Sequence, residues 1–166
     1  KVLSNYPHLN GFSYSPDSVY KFLNKIDNNN DIVTLHTTTD YLDICEFIQY
    51  SASKFGINIK IEISSPPVHR ELFSSGSSTF FRASWIGDYP DPENFLSLFY
   101  SNNKSPFGPN YTHFKNEKYD SLYELSFYVT ELTKRNNLFK EMEEILIEES
   151  TIVPLYYDYV VRLVST

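Results

Sequence analysis

The residues with the greatest chemical potential lie in one run, Trp85-Ile86-Gly87-Asp88-Tyr89-Pro90-Asp91-Pro92-Glu93-Asn94-Phe95-Leu96. It holds the single tryptophan of the chain. A ring beside a fixed carboxylate suits a cation or an amine. The ring supplies apolar area, and the acid supplies a charge-assisted hydrogen bond. Asp88 and Asp91 as a pair could instead act as general acid and base around a glycosidic bond. A plainer role for Asp91 is to cap the helix that begins near Glu93, since an acid before a helix accepts free backbone N–H groups. The plain counterpart for the rest is a core Trp85 with a turn Asp88. Arg82 precedes Trp85 by three residues. A strand running unbroken to Trp85 would put Arg82 and Ser84 on one face, Ala83 and Trp85 on the other. Arg82 is then either a bidentate donor to a carboxylate or a solvent-facing cation. Tyr89 lines the same loop or packs beneath it. Asn94 and Phe95 are expected to stabilise the helix start.

Other chemistry is sparse. His8, His36, His69 and His113 are scattered, with no pair at i, i+3 or i+4, so no metal site is expected. Cys45 is alone, which removes an intrachain disulfide and a thiolate zinc site. No nucleophile elbow, glycine-rich phosphate loop or HExxH occurs, and no cofactor is expected. The formal charge of -7 speaks against a general nucleic-acid surface, which needs clustered cations. The 166 residues suit one domain. No apolar run approaches the roughly 20 residues of a membrane helix. The first residues carry neither an apolar signal core nor a starting Met, so a mature protein or an excised piece is expected.

The elements that must position the loop follow from periodicity. Ser15 and Pro16 open a helix with Val19, Phe22, Leu23 and Ile26 on one face. Residues 32–37 form a short strand. Thr39 or Asp40 caps a second helix with Ile44, Ile48, Ala52 and Phe55 as its buried stripe, stopped by Gly56. Residues 57–63 alternate as the clearest strand. The order helix, strand, helix, strand predicts α/β layers with at least two parallel strands. A short helix over 68–73 and a strand-like run over 79–84 lead into the loop. Helices are expected from Glu93, over 116–127 with Tyr119 and Tyr123 inward, and over 131–149 with Leu138, Met142, Ile145, Leu146 and Glu149 on one face. Residues 151–164 turn strand-like. Of the 28 aromatic residues, Phe22, Tyr41, Phe47, Phe55, Tyr119, Tyr123 and Phe139 are assigned mostly to core. Trp85, Tyr89 and Phe81 are assigned to the loop.

The loop resembles a signature of the family 5 extracellular solute-binding proteins, the peptide-, dipeptide- and nickel-binding components of ABC importers. The resemblance extends in order along the chain. It includes Tyr14-Ser15-Pro16-Asp17, Phe55-Gly56-Ile57, Asn116-Glu117-Lys118-Tyr119-Asp120, Arg135, and Ile152-Val153-Pro154-Leu155-Tyr156-Tyr157. Gly87 stands where the family often has Ala. The resemblance implies a mixed sheet flanked by helices, one lobe of a two-lobed type II binding protein. Residues 1–166 would be the C-terminal lobe, with the N-terminal lobe outside the chain. It further implies no enzyme, but a receptor for short peptides that delivers them to membrane permease subunits. Asp88 would pair the ligand's α-amino group and Trp85 would form an apolar wall. Arg82 and Tyr89 would complete the ligand set. A periplasmic or extracellular location follows, with a lipid anchor outside the chain. A ligand-sensing module of a transcriptional regulator, or a receptor for a nickel chelate or an oligosaccharide, are the alternatives.

Overall fold

The computed structural model describes residues 13–25 and 31–156. Helix α1, Pro16–Leu23, starts as expected: the Ser15 side chain accepts from the Ser18 N–H, with Pro16 in the first turn. Its apolar face is not buried, however. Phe22 is 63% exposed and Val19 and Leu23 are half-buried, while Tyr20 meets Phe55 edge-on at 5.5 Å. Ile26 lies outside the described residues.

Strand β1, Ile32–Thr37, and strand β2, Asn58–Ile63, pair in parallel, with Ile32 opposite Asn58 and Thr37 opposite Ile63. Between them a 3-10 turn, Thr39–Tyr41, leads into α2, Leu42–Ser53. Gly56 at φ +76° ends that connection, a backbone region that suits glycine. The buried residue of α2 is Cys45, at 1% exposure, while Ile44, Ile48, Ala52 and Phe55 are half-buried and Phe47 is 69% exposed. The stripe is therefore rotated by about one residue from the expected one.

Helix α3, Pro66–Ser74, follows β2 directly and buries His69. The expected third strand shrinks to one parallel bridge between Phe81 and His36. The reason lies in β1. It ends at Thr37, still paired with β2, and the Thr38 carbonyl accepts from Tyr41 N–H, so from Thr38 on that chain has turned away. Nothing remains for residues 83–85 to pair with. The fold is α/β with helices around a small sheet, and the pairings among the described residues of that sheet are parallel.

The best-packed core lies in the second half. Helix α4, Glu93–Leu96, continues as a 3-10 turn, Ser97–Phe99; α5 spans Glu117–Ser126 and α6 spans Leu132–Glu148. Asn116 caps α5 by accepting from Tyr119 N–H at 3.0 Å. Leu96, Phe99, Tyr119, Tyr123, Phe139, Met142, Ile145 and Leu146 form one buried cluster. On α6 the inward face is carried by Asn136 and Phe139 rather than by Leu138 and Glu149. Residues 151–156 have no regular structure, and the remainder of the expected last strand lies outside the described residues.

Candidate functional site

The Trp85 loop hangs between the sheet and this core. On the sheet side, Arg82 is held at both backbone ends. Its N–H donates to His36 O at 3.0 Å, and its carbonyl accepts from His69 Nε2 at 2.7 Å. A carbonyl can only accept, so His69 carries its proton on Nε2. The Arg82 guanidinium lies over the Tyr41 ring, with Cζ 3.0 Å from its centroid. It belongs to none of the ion pairs among the described residues. Phe81 is half-buried and stacks on Phe73 at 5.1 Å, so it supports the strand end instead of lining the loop.

Beyond Arg82 the backbone is irregular, and strand alternation does not decide how Arg82 and Trp85 face. Asn94 decides the placement of Trp85. Its Oδ1 accepts from the indole N–H at 2.8 Å and from the Asp88 backbone N–H at 3.3 Å. The indole proton is thus consumed within the loop, and the apolar ring is what half-buried Trp85 offers a ligand. Gly87 lets the loop close on Phe95: a Cβ there would stand 3.3 Å from that ring. Asp88 has a fixed backbone and an exposed carboxylate that makes no hydrogen bond or ion pair among the described residues.

Asp91 serves the loop's structure. One carboxylate oxygen accepts from Glu93 N–H at 2.9 Å, and the other meets Arg135 Nη1 at 2.6 Å. Arg135 also donates to Ser126 O at 3.1 Å and lies over Phe139 at 4.6 Å. Glu93 is buried and accepts from two tyrosine hydroxyls, Tyr89 and Tyr123. The Tyr89 hydroxyl is pushed above its ordinary pKa, first because Glu93 takes its proton in a hydrogen bond and then by burial. The Tyr123 hydroxyl is pushed up first by burial and then by the same acid. An acid–base pair of Asp88 and Asp91 is therefore not on offer, because both Asp91 oxygens are engaged.

The structure brings Trp85, Asp88 and Tyr89 together through Asn94 and Glu93. Sequence reasoning assigned Asn94 only to the helix start and gave Glu93 no role. Their partners are set by loop closure, which leaves no periodic trace. At the carboxyl ends of β1 and β2, a depression of about 470 Å³ is lined by Thr38, Thr39, Asp40, Ser64 and Ser65. Open α/β sheets bind ligands at that end. A larger space of about 990 Å³ lies along α2 and the outer edge of β2, among Ile57, Ile59 and Ile61, and none of the loop residues reaches it. Among the described residues, no group of three or more His, Cys, Asp or Glu could hold a metal ion, and no helix is long and apolar enough to cross a membrane.

No family model matches the chain. Over 126 residues, 75% of its length, it is 31% identical to the oligopeptide-binding protein OppA of Bacillus subtilis, of which it covers 23%. Over 110 residues, 66% of its length, it is 31% identical to the periplasmic oligopeptide-binding protein OppA of Escherichia coli, of which it covers 20%. Among solved structures, it superposes on the periplasmic binding protein DppA of Helicobacter pylori in complex with the peptide STSA. There the TM-score is 0.74 at 25% identity, covering 83% of this chain and 28% of that one. The chain thus spans less than a quarter of the length of these curated relatives. Its homologues are family 5 extracellular solute-binding proteins of the peptide-binding kind, and its sequence and fold fit a segment of such a protein.

Proposed function

We propose that the chain is the C-terminal ligand-binding lobe of the substrate-binding component of an ABC importer, and that it takes short peptides. The observation that carries the reading is Asp88: an exposed carboxylate without a protein partner on a backbone fixed by Asn94. Such a group can receive the peptide's α-ammonium without first rearranging, which reduces the cost of binding. Trp85 presents its ring beside that charge. Arg82, face-on to Tyr41 and outside the described ion pairs, keeps its donor edges for a ligand carboxylate. Tyr89 flanks Asp88. The second wall of the cleft belongs to an N-terminal lobe, and closure of the two lobes buries the peptide. Release goes to membrane permease subunits, from a periplasmic or extracellular position with a lipid anchor. No turnover is expected, because the second acid of the loop is held by Arg135 and the helix start.

The test is a titration of the two-lobed receptor with short peptides carrying free or N-acetylated amino termini. Acetylation removes the cation and is expected to weaken binding about tenfold or more, the loss of a charge-assisted hydrogen bond. Equal affinity for the two forms removes Asp88 from the site.

A further inference from the structure

Asn94 is 3% exposed, and its one amide reaches two of the four candidate ligand groups, Trp85 and Asp88. Two N–H donors, from the Trp85 indole and the Asp88 backbone, converge on Oδ1. That fixes which end of the amide is oxygen and turns Nδ2 the other way. Tyr89, itself 48% exposed, donates its hydroxyl proton to Glu93, the residue before Asn94. Glu93 in turn accepts from Tyr123, a core residue of α5. Trp85 and Asp88 thus give to Asn94, and Tyr89 and Tyr123 give to Glu93. Turning the Asn94 amide would leave its buried oxygen without these donors.

We propose that Asn94 is a positioning residue for ligand binding, coupling Trp85 and Asp88 into one preorganised unit at the start of α4. This rests on the peptide reading above for the ligand, but not for the coupling itself. Preorganisation matters because a loop ordered before binding does not lose that freedom during binding.

The test replaces Asn94 by Leu and, separately, by Asp in the two-lobed receptor. Trp85 emission is taken as the difference from a Trp85→Phe variant, and affinity is measured with tri-alanine. Asn94→Leu keeps the branched shape and removes the side-chain hydrogen bonds. It is expected to red-shift Trp85 emission and to weaken tri-alanine binding about tenfold or more. Asn94→Asp keeps an acceptor for the indole N–H and is expected to retain the wild-type Trp85 emission. A folded Asn94→Leu receptor with wild-type affinity, or one that loses affinity with Trp85 unmoved, overturns the proposal. If Asn94→Leu does not fold, Asn94→Asp decides: unchanged Trp85 emission supports the coupling and displaced emission overturns it. Should wild-type receptor ignore tri-alanine and other free-amine peptides, the peptide reading fails, while the emission comparison still rules on the coupling.

Discussion

Two of the tyrosines that donate to a glutamate put that bond to different use. Tyr100 donates to Glu124 at 2.5 Å and accepts from Asn102 Nδ2 at 2.7 Å. Tyr89 donates to Glu93, the neighbour of Asn94. In the first set Tyr100 is half-buried against the core, but Glu124 and Asn102 are exposed. In the second set Glu93 and Asn94 are buried, and each has further partners: Tyr123 for the acid, Trp85 and Asp88 for the amide. A tyrosine–glutamate bond is thus a pair with exposed partners in one place and part of a junction in the other. Burial makes the difference. At the surface water replaces a lost partner, whereas inside the loop nothing does.

The largest effect expected from breaking this contrast is at Glu93. Glu93→Ala strands the buried Tyr123 hydroxyl and releases Tyr89. A loss of about 1–3 kcal/mol is expected in denaturant unfolding, the cost of an unsatisfied buried group. Glu124→Ala, its surface counterpart, is expected to change stability by less than about 0.5 kcal/mol. Comparable losses for the two would show that burial does not separate the sets. Next in size is Arg135→Met, which keeps the packing over Phe139 but leaves Asp91 without its cation. Both side chains are partly exposed, so solvent screening limits the expected loss to about 1 kcal/mol. A second readout is peptide affinity, which is expected to fall because the loop loses its tie to α6.

How much of this was legible in the sequence follows from the distance over which each feature is decided. Strand 32–37, the Gly56 stop and the Asn116 cap are settled by a few neighbouring residues, and they are found where the pattern put them. Asp91 before Glu93 reads correctly as a helix-start acceptor for the same reason. The Glu93–Tyr123 bond joins residues 30 apart and the Asp91–Arg135 pair residues 44 apart. Neither separation has a period, so neither was readable. Burial faces failed for a different reason. The stripe on α2 was drawn through Ile44 and Ile48, but small Cys45 is what the sheet admits. Phe22 and Phe47 lie in or beside helical apolar stripes that point most such residues to the core, yet both are exposed, and a large apolar residue on the surface is ordinary.

Alkali offers a gentler way to sharpen the contrast. Tyr89, Tyr100 and Tyr123 all have hydroxyls held above the ordinary value of 10.0 in the folded chain. Below pH 10 folded and unfolded states both keep these protons, and the tyrosines add no pH dependence. Above it the unfolded chain releases protons that the folded chain retains, so stability falls as pH rises. Unfolding free energy is expected to be flat in this respect up to about pH 10 and to decline beyond. Tyr123→Phe should flatten that decline more than Tyr100→Phe, because burial leads the causes only at Tyr123. An equal effect of the two variants would count against the buried set as the dominant source.

The smallest effect belongs to Tyr100, whose hydroxyl partners are exposed. Tyr100 and Tyr123 stack with centroids 4.6 Å apart, so the two sets share an aromatic contact although their hydroxyls diverge. Tyr100→Phe keeps that ring and removes only the hydroxyl that joins Glu124 to Asn102. Both partners are exposed and regain water, so the expected change at neutral pH is within about 0.5 kcal/mol. Tyr89→Phe is the matched substitution in the buried set. It keeps a ring but leaves a buried Glu93 oxygen without its donor, which water cannot easily restore. Its cost is expected to exceed that of Tyr100→Phe and to come with weaker peptide binding. If Tyr100→Phe weakened peptide binding as much as Tyr89→Phe does, the effect would have to travel through the stacked rings, and the two sets could no longer be treated as separate.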